Sequence, residues 1–367
     1  MSFPDTIDRH LGREWLKSFG LTTGFVLGLF YIQNLYDNLG DFLKHGAGIV
    51  EILKYFLWLT PSLLLPVLPL SVLVSTLISY GTLHRNQEIT AMRSTGRGIW
   101  GLMRMNLFFG VLLSAGLYLL GSGGLSLSVE KSREIHERLA WKETNLKETG
   151  WIQHLTFENS AARRLWVMNR FHQPTNTGYG VYLYRRDEQG QVLERFTSRT
   201  AVFDADTDTW TFREGRRVPF NKAGLPKQLD DFKELKLQNI DSPRMLLARQ
   251  KKIGDLSIKE LQDLKKVHAG GGDKESKRYA VRYHQALAGS FNCVLALMVG
   301  VPFALGGTRT NPMVGASKAI LIFVAFLILS GLSRLLGEQE IIKPIVAGWS
   351  PLLAMGLFAL YLTGKVR

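Results

Sequence analysis

The chain has one cysteine, Cys293, among 367 residues. No intramolecular disulfide can therefore brace it, even if part of it faces an oxidising space. It also lacks a G-x-x-x-x-G-K-[ST] run, so it has no P-loop in which to cradle nucleotide phosphates. The absence of H-E-x-x-H removes an intramembrane zinc protease. Its apolar runs hold no paired carboxylates, the groups that proton coupling in a secondary transporter would need. Acidic residues are outnumbered 31 to 45, for a formal net charge of +14. That excess could serve nucleic acid, but no nucleic-acid motif accompanies it. Much of it lies beside apolar runs, where membrane topology accounts for it.

What the chain does have is hydrophobic length. Charge-poor runs occur at 19–36, 55–80, 105–129, 285–308, 319–333 and 344–364. All but 319–333 reach about 18 residues, close to what a helix needs to cross a hydrocarbon core of roughly 30 Å. The short run becomes long enough if Lys318 and Arg334 snorkel to the two interfaces. The expectation is an α-helical membrane protein with six transmembrane helices. The first run is read as a retained span, because mixed charges precede it and no small-residue cleavage site follows.

Basic residues in short flanks give the orientation. Arg9, Arg13 and Lys17 precede the first span, and Arg85, Arg93, Arg97 and Arg104 lie between the second and third. Arg309 and Lys318 lie between the fourth and fifth, and Lys365 and Arg367 follow the sixth. Both termini are then cytoplasmic, and the long insertion between spans three and four is outside.

The chain divides into 1–129 with spans one to three, 130–277 as the outside domain, and 278–367 with spans four to six. Within the outside domain, 131–147 has a helix-forming composition and reads as a stalk continuing span three. From about 150 to 240 the pattern turns to short β-branched and aromatic runs: Leu165-Trp-Val-Met, Gly180-Val-Tyr-Leu-Tyr, 192–196, Trp210-Thr-Phe and 232–237. Asn176-Thr-Gly, Asp187-Glu-Gln-Gly, 204–208 and Glu214-Gly read as the turns between them. The domain is therefore expected to be all-β, a sandwich or barrel. A return segment follows, where Ser257 and Glu260 fit a capping box and the glycines at 270–272 break the helix.

Three further patterns bear on contacts and helix geometry. Gly20, Gly24 and Gly28 share one face of the first span, where another helix can approach closely, either within the protein or from a partner subunit. Pro61, Pro66 and Pro69 predict a kinked or locally unwound second span. The segment 83–96 between spans two and three is too polar to cross and has the content of a short helix. Ile89 and Met92 lie on one face with Glu88 beside Met92, and Gly96 can end the helix. Such a helix could dock its acidic group and exposed apolar residues in a groove of a soluble subunit, or be a solvated connector.

Asn86-Gln-Glu-Ile-Thr-Ala-Met-Arg-Ser-Thr-Gly resembles the loop signature of the lipopolysaccharide export permeases LptF and LptG. Ile7-Asp-Arg-His-Leu resembles their opening, and 206–220 a strand and turn of their periplasmic domain. Leu256-Ser-Ile-Lys-Glu-Leu and Arg282-Tyr-His-Gln-Ala-Leu-Ala resemble their return to the membrane. Gly331-Leu-Ser-Arg-Leu-Leu-Gly and 344–351 fit their last two spans. These motifs follow the family's order over essentially the whole chain. Ile7-Asp-Arg leans towards LptG, whereas missing lysines at the outer end of span one pull away from it.

The resemblance implies a non-catalytic half-transporter of the inner membrane whose periplasmic domain is a β-jellyroll. Its implied partners are an LptB-like cytoplasmic ATPase dimer, where ATP and magnesium bind, and a second LptF/LptG-type permease. An LptC-like membrane-anchored jellyroll protein and an LptA-like periplasmic bridge would then carry lipopolysaccharide onward; no cofactor is implied for the chain itself. Glu88 matches the family's coupling-helix glutamate, with Arg85, Ile89, Met92 and Arg93 around it. In the family, cations at the outer end of span one meet lipid phosphates. Here that stretch, 33–41, holds Asn34 and Asp41 in place of cations, with Asp37 between them as a further lipid-contact candidate and Lys44 the nearest cation. Phe30, Phe323 and Phe326 become candidates for acyl-chain contact, or are ordinary packed aromatics. The other functional class left open is a membrane-tethered assembly or sensor protein that transports nothing.

Overall fold

The computed structural model describes residues 5–44, 48–140, 150–221, 224–238, 240–248, 251–267, 274–305 and 312–365. In chain order these form helices α1 (Thr6–Lys44), α2 (Ile49–Arg85), α3 (Glu88–Ser94), α4 (Ile99–Leu119) and α5 (Leu125–Ala140). Strands β1 (Trp151–Asn159), β2 (Arg164–His172), β3 (Thr177–Arg186), β4 (Val192–Asp204), β5 (Thr209–Pro219) and β6 (Asp230–Gln238) follow. Helices α6 (Pro243–Ala248), α7 (Ile258–Val267), α8 (Lys274–Gly289), α9 (Asn292–Leu305), α10 (Pro312–Glu338) and α11 (Pro344–Lys365) complete the chain. They group into two compact units, one of residues 1–140 with 280–367 and one of residues 141–279.

In the helical unit, five helical stretches among the described residues are long and apolar enough to cross a membrane: Thr6–Gly40, Ile49–Arg85, Ile99–His136, Ser317–Glu338 and Pro344–Lys365. The expected fourth span is not one straight rod. It is a pair of helices, Glu275–Gly289 and Asn292–Leu305, bent by 51°, and gives a sixth crossing only if the pair is counted as one. At the bend the helix tightens, with Ser290 N–H donating to the Leu287 carbonyl and Phe291 N–H to that of Ala288. The second span, in contrast, runs as one helix through its three prolines. Around Pro61 the hydroxyls of Thr60 and Ser62 donate to the carbonyls of Phe56 and Leu59, both at 2.7 Å. Ser128 of α5 donates to the Trp58 carbonyl. These hydroxyls add donors to carbonyls flanking the one that Pro61 leaves without its backbone partner.

The core runs through α2 and α9, with Val72, Leu73 and Tyr80 meeting Leu297, Val299 and Val301, all at most 1% exposed. Because lipid tails are as apolar as these side chains, close packing rather than water exclusion holds such helices together. Gly348 of α11 shows how close: a Cβ there would lie 2.4 Å from His284 Cβ and 2.8 Å from the His284 backbone carbon.

In the second unit, the six strands form one antiparallel sheet in sequential order, β1 to β6. Each expected run lies inside a strand, and Asn176, Gly190 and Asp208 take left-handed turns where turns were expected. Glu214-Gly does not turn. It lies inside β5, where Glu214 has φ 48° and a Cβ on Gly215 would stand 2.4 Å from the Thr197 carbonyl oxygen. The glycine is there to let β4 pass, a role that looks like a turn signal in sequence.

The reason extends across the sheet. Every strand pairing skips the same row of residues: His154, Asn169, Gly180, Arg199, Glu214 and Lys233. Left-handed backbone recurs on alternate strands of that row, at His154, Gly180 and Glu214. This crease bends the sheet, as local irregularities do in single strand pairs. Trp166 on β2 and Trp210 on β5 are three strand spacings apart, about 14 Å in a flat sheet. Their ring centroids are 5.1 Å apart, so the sheet is curled around its inner face. Phe157, Met168, Phe171 and Phe212 fill the same fully buried interior. The described strands follow one another as a meander, without the crossovers of a Greek-key jellyroll. Buried Asp241, just beyond β6, accepts from Trp166 Nε1 at 2.8 Å and pairs with Arg164 at 3.0 Å. Its carbonyl accepts from Trp210 Nε1 at 2.8 Å. The capping box on α7 forms as expected, with Ser257 N–H donating to Glu260 at 2.8 Å and Glu260 N–H to Ser257 Oγ at 3.2 Å. The glycines at 270–272 lie outside the described residues.

Candidate functional site

The segment between α2 and α4 folds as its sequence suggests, into a short helix between two turns. Gln87 takes a left-handed conformation, φ 60°, which reverses the chain after α2 and starts α3 at Glu88. Gly96, φ 83°, turns it again, and Gly98 precedes the first residue of α4. One side of α3 faces the bundle. Ile89 is 1% exposed and belongs to the core, and Met92 packs partly buried against it.

This corrects the expectation of exposed apolar residues on this helix. With only two turns, α3 can be held in place only by burying what apolar surface it has. What it presents outward is polar: Arg85, Thr90 and Ser94 are exposed, while Glu88 and Arg93 are half-buried. Glu88 is fixed from two sides. His10 Nε2 on α1 donates to its carboxylate at 2.9 Å, and Asn86 Nδ2 approaches it at 3.5 Å. A cavity of about 290 Å³ opens beside the pair, lined also by Glu14, Ser18, Ser79 and Thr82. The carboxylate is thus oriented, partly dehydrated and still reachable.

Beneath it lies an ionic cluster that spacing does not reveal. Asp8 of α1 has no exposed surface and receives Arg104 Nε at 3.0 Å and Arg97 Nη1 at 3.4 Å. Arg97, itself 6% exposed, also pairs with Asp5. At Asp5, outside the spans, the backbone and hydroxyl of Thr6 and the Arg97 guanidinium hold the carboxyl below its usual range. The start of α1 is thereby tied to both the turn after α3 and the second turn of α4. Tyr80 adds a link from α2, donating to the Leu102 carbonyl at 2.9 Å. The sequence signal was an aspartate in a basic flank, with Arg97 and Arg104 counted only as topological charges.

The other candidates scatter. Phe323 and Phe326 are 4% and 5% exposed and pack on each other in the core, with centroids 5.9 Å apart. As side chains that fill the bundle, they offer no acyl-chain surface. Phe30 is half-buried and Asp37 is exposed. Asn34 is engaged at its side chain, where Tyr55 Oη donates at 2.9 Å and Asn38 Nδ2 at 3.1 Å. That ladder continues to His136 of α5, 2.9 Å from Asn38 Oδ1. The side chains of Asp41 and Lys44 lie outside the described residues. Gly20, Gly24 and Gly28 have no atom within 4 Å of a would-be Cβ, so no helix among the described residues closes on that face. No group of three or more His, Cys, Asp or Glu that could hold a metal occurs among the described residues.

A comparison with curated proteins found no match. The sequence profile of the lipopolysaccharide export system permeases LptF/LptG, however, matches residues 9–365, through all the spans, the curled sheet and the α3 segment. With nearly its whole length covered in order, the chain belongs to the LptF/LptG family of lipopolysaccharide export permeases.

Proposed function

We propose that this permease is the transmembrane half of an ATP-driven exporter and receives the mechanical stroke at Glu88. The carrying observation is the mounting of α3. Ile89 locks the helix to the bundle core, His10 orients the Glu88 carboxylate, and the Asp8–Arg97–Arg104 cluster joins it to α1 and α4. A force applied at Glu88 by a cytoplasmic ATPase dimer then reaches three helices, through the exposed His10 pair and the buried Ile89 and Asp8 contacts. A solvated connector would need none of this anchoring.

In this reading ATP and its magnesium ion bind the ATPase subunits, and this chain is non-catalytic. It sits in the inner membrane with both termini cytoplasmic and the β unit periplasmic. A second LptF/LptG-type permease completes the lipid-accepting cavity, and the curled β unit acts as the first jellyroll-like station of a periplasmic bridge. The inner face of that sheet is apolar and aromatic but filled by its own side chains, so an acyl chain would enter only where the curled sheet parts. Lipopolysaccharide is the cargo, extracted from the outer leaflet.

Glu88→Lys tests the proposal. Expected are normal abundance of the permease and loss of either ATPase association or ATP-dependent lipid release. Unchanged release with Glu88→Lys removes the residue from the coupling role. Recovery of the wild-type chain as a monomer indifferent to ATPase expression supports the membrane-anchor alternative.

A further inference from the structure

The first turns of α1 carry a second feature that the coupling reading does not use. Arg9, Arg13 and Lys17 recur at four-residue spacing and so share a face. All three are exposed, and like charges so placed repel. Lys17 is partly compensated by Glu14 at 2.6 Å, whereas neither Arg9 nor Arg13 has a side-chain hydrogen bond or ion pair among the described residues. The neighbouring carboxylates Asp5 and Asp8 are turned to Arg97 and Arg104.

These cations rim a cavity of about 500 Å³ between α1 and α4, whose walls are Leu16, Met105 and Phe109. Its floor is Gly12: a Cβ there would stand 3.0 Å from Met105 Cγ and 3.3 Å from Phe109 Cε2, so a larger residue would begin to fill the groove. Farther along the same face of α1, Gly20 and Gly24 have open space above them. The charged rim lies just before the apolar run that starts at Phe19. It therefore sits at headgroup depth, and the apolar walls lead into the hydrocarbon.

We infer that this groove binds an anionic glycerophospholipid, its phosphate between Arg9 and Arg13 and an acyl chain against Leu16, Met105 and Phe109. Two unpaired guanidiniums select a net negative headgroup over a zwitterionic one. The apolar walls select a membrane lipid over a soluble phosphate. The ligand belongs to the leaflet facing the basic flanks, and only the name of that leaflet rests on the orientation proposed above.

The test places a photo-crosslinking residue at Leu16 of the full chain in nanodiscs of phosphatidylcholine with a rising fraction of phosphatidylglycerol. Mass spectrometry of the crosslinked peptide gives the preference for one lipid over the other. Phosphatidylglycerol adducts are expected to dominate. Arg9→Gln with Arg13→Gln should cut that preference about thirtyfold, from the attraction typical of two interfacial cations. Both guanidiniums are exposed and unpaired, so the melting temperature should stay the same. Gly12→Leu, which fills the floor, should lower adducts with both lipids. Equal labelling of the two lipids, an unchanged preference in the arginine variant, or adducts to a second protein chain at this position would each overturn the inference. Both leaflets of a nanodisc carry both lipids, so the result is independent of orientation and of export activity. Labelling of a cysteine placed at Thr6 from either side of the membrane tests the orientation separately.

Discussion

Asp8→Ala is the sharpest test of the mounting of α3. The carboxylate has no exposed surface and sits between Arg97, 6% exposed, and Arg104, 30% exposed. Removing one partner of a fully buried ion pair costs about 3–5 kcal/mol, because a charge is left without compensation. Here the lower end applies. Arg97 keeps Asp5, and Arg104 is open enough for water to replace part of what it loses. About 3 kcal/mol remains, a fall of about 6–12 °C in melting temperature for a domain of this size.

The assay is thermal unfolding of the purified chain in detergent, followed by far-ultraviolet circular dichroism, for Asp8→Ala, Arg104→Ala and the double variant. Side chains that share a pair should couple by about 1 kcal/mol, so the double variant should melt above the additive expectation. Asp8→Asn keeps the oxygen acceptor and loses the charge, and should fall between wild type and Asp8→Ala. A shift below about 2 °C for Asp8→Ala, or strict additivity in the cycle, would refute the claim that this cluster ties α1 to α4.

Four further expectations rest on different parts of the molecule. Gly348→Ala must displace the backbone of His284 and Gln285, so it should destabilise the helical unit by about 1–3 kcal/mol. Gly24→Ala, with open space around it inside α1, should raise the melting temperature slightly, because alanine loses less backbone entropy in a helix, about 0.5–1 kcal/mol. Asp241→Ala removes the acceptor of Trp166 and the partner of Arg164, and should cost the β unit about 3–5 kcal/mol, measured by urea unfolding with tryptophan emission. Low pH should loosen β4 to β6. Burial would raise the Glu194 carboxyl, but Arg217 and Arg185 outweigh it and hold the group low, while Arg216 holds Asp231 low. Depressed carboxylates stabilise the fold above their unfolded values near 4 and lose that contribution as pH falls through the folded ones. Amide exchange in these strands, corrected for intrinsic rates, should therefore accelerate between about pH 5 and pH 3, and less so in Arg217→Met.

The sequence made legible whatever depends on composition over many residues. Apolar length predicted the spans, and β-branched runs fell inside β2 to β6, because burying a helix or a strand face needs a sustained pattern. Single positions whose meaning depends on distant backbone were misread. Glu214-Gly has turn composition, yet it lies on a crease that crosses six strands and can be recognised only once their register is known. Phe323 and Phe326 could as well have faced lipid, since a membrane helix has no polar face to betray its inner side. The same ambiguity hid the bend at Ser290. Glu88 is legible through its motif, whereas Asp8 is not, because its two partners lie about 90 residues away.

Helix α1 brings these threads together, because its two faces carry opposite commitments. Inward, Leu11 and Trp15 are at most 1% exposed; Trp15 donates to Thr76 at 3.0 Å and stacks on Phe109, with centroids 5.8 Å apart. Outward, the same turns show Arg9, Arg13 and Leu16 with a groove between them and α4. Phe109 belongs to both, with Trp15 on one side and the groove on the other. Lipid seated in the groove would therefore press on the ring that positions Trp15, one turn from His10 and its bond to Glu88. Occupancy of the groove and the orientation of the proposed coupling carboxylate are then linked through contiguous packing, and linkage of this kind acts in both directions. If the groove binds anionic lipid, Glu88→Lys, which breaks the His10 contact, should alter the crosslinking preference at Leu16. A double-mutant cycle between Glu88 and Arg13, read as lipid preference, measures that coupling directly, and a value of zero would separate the two sites.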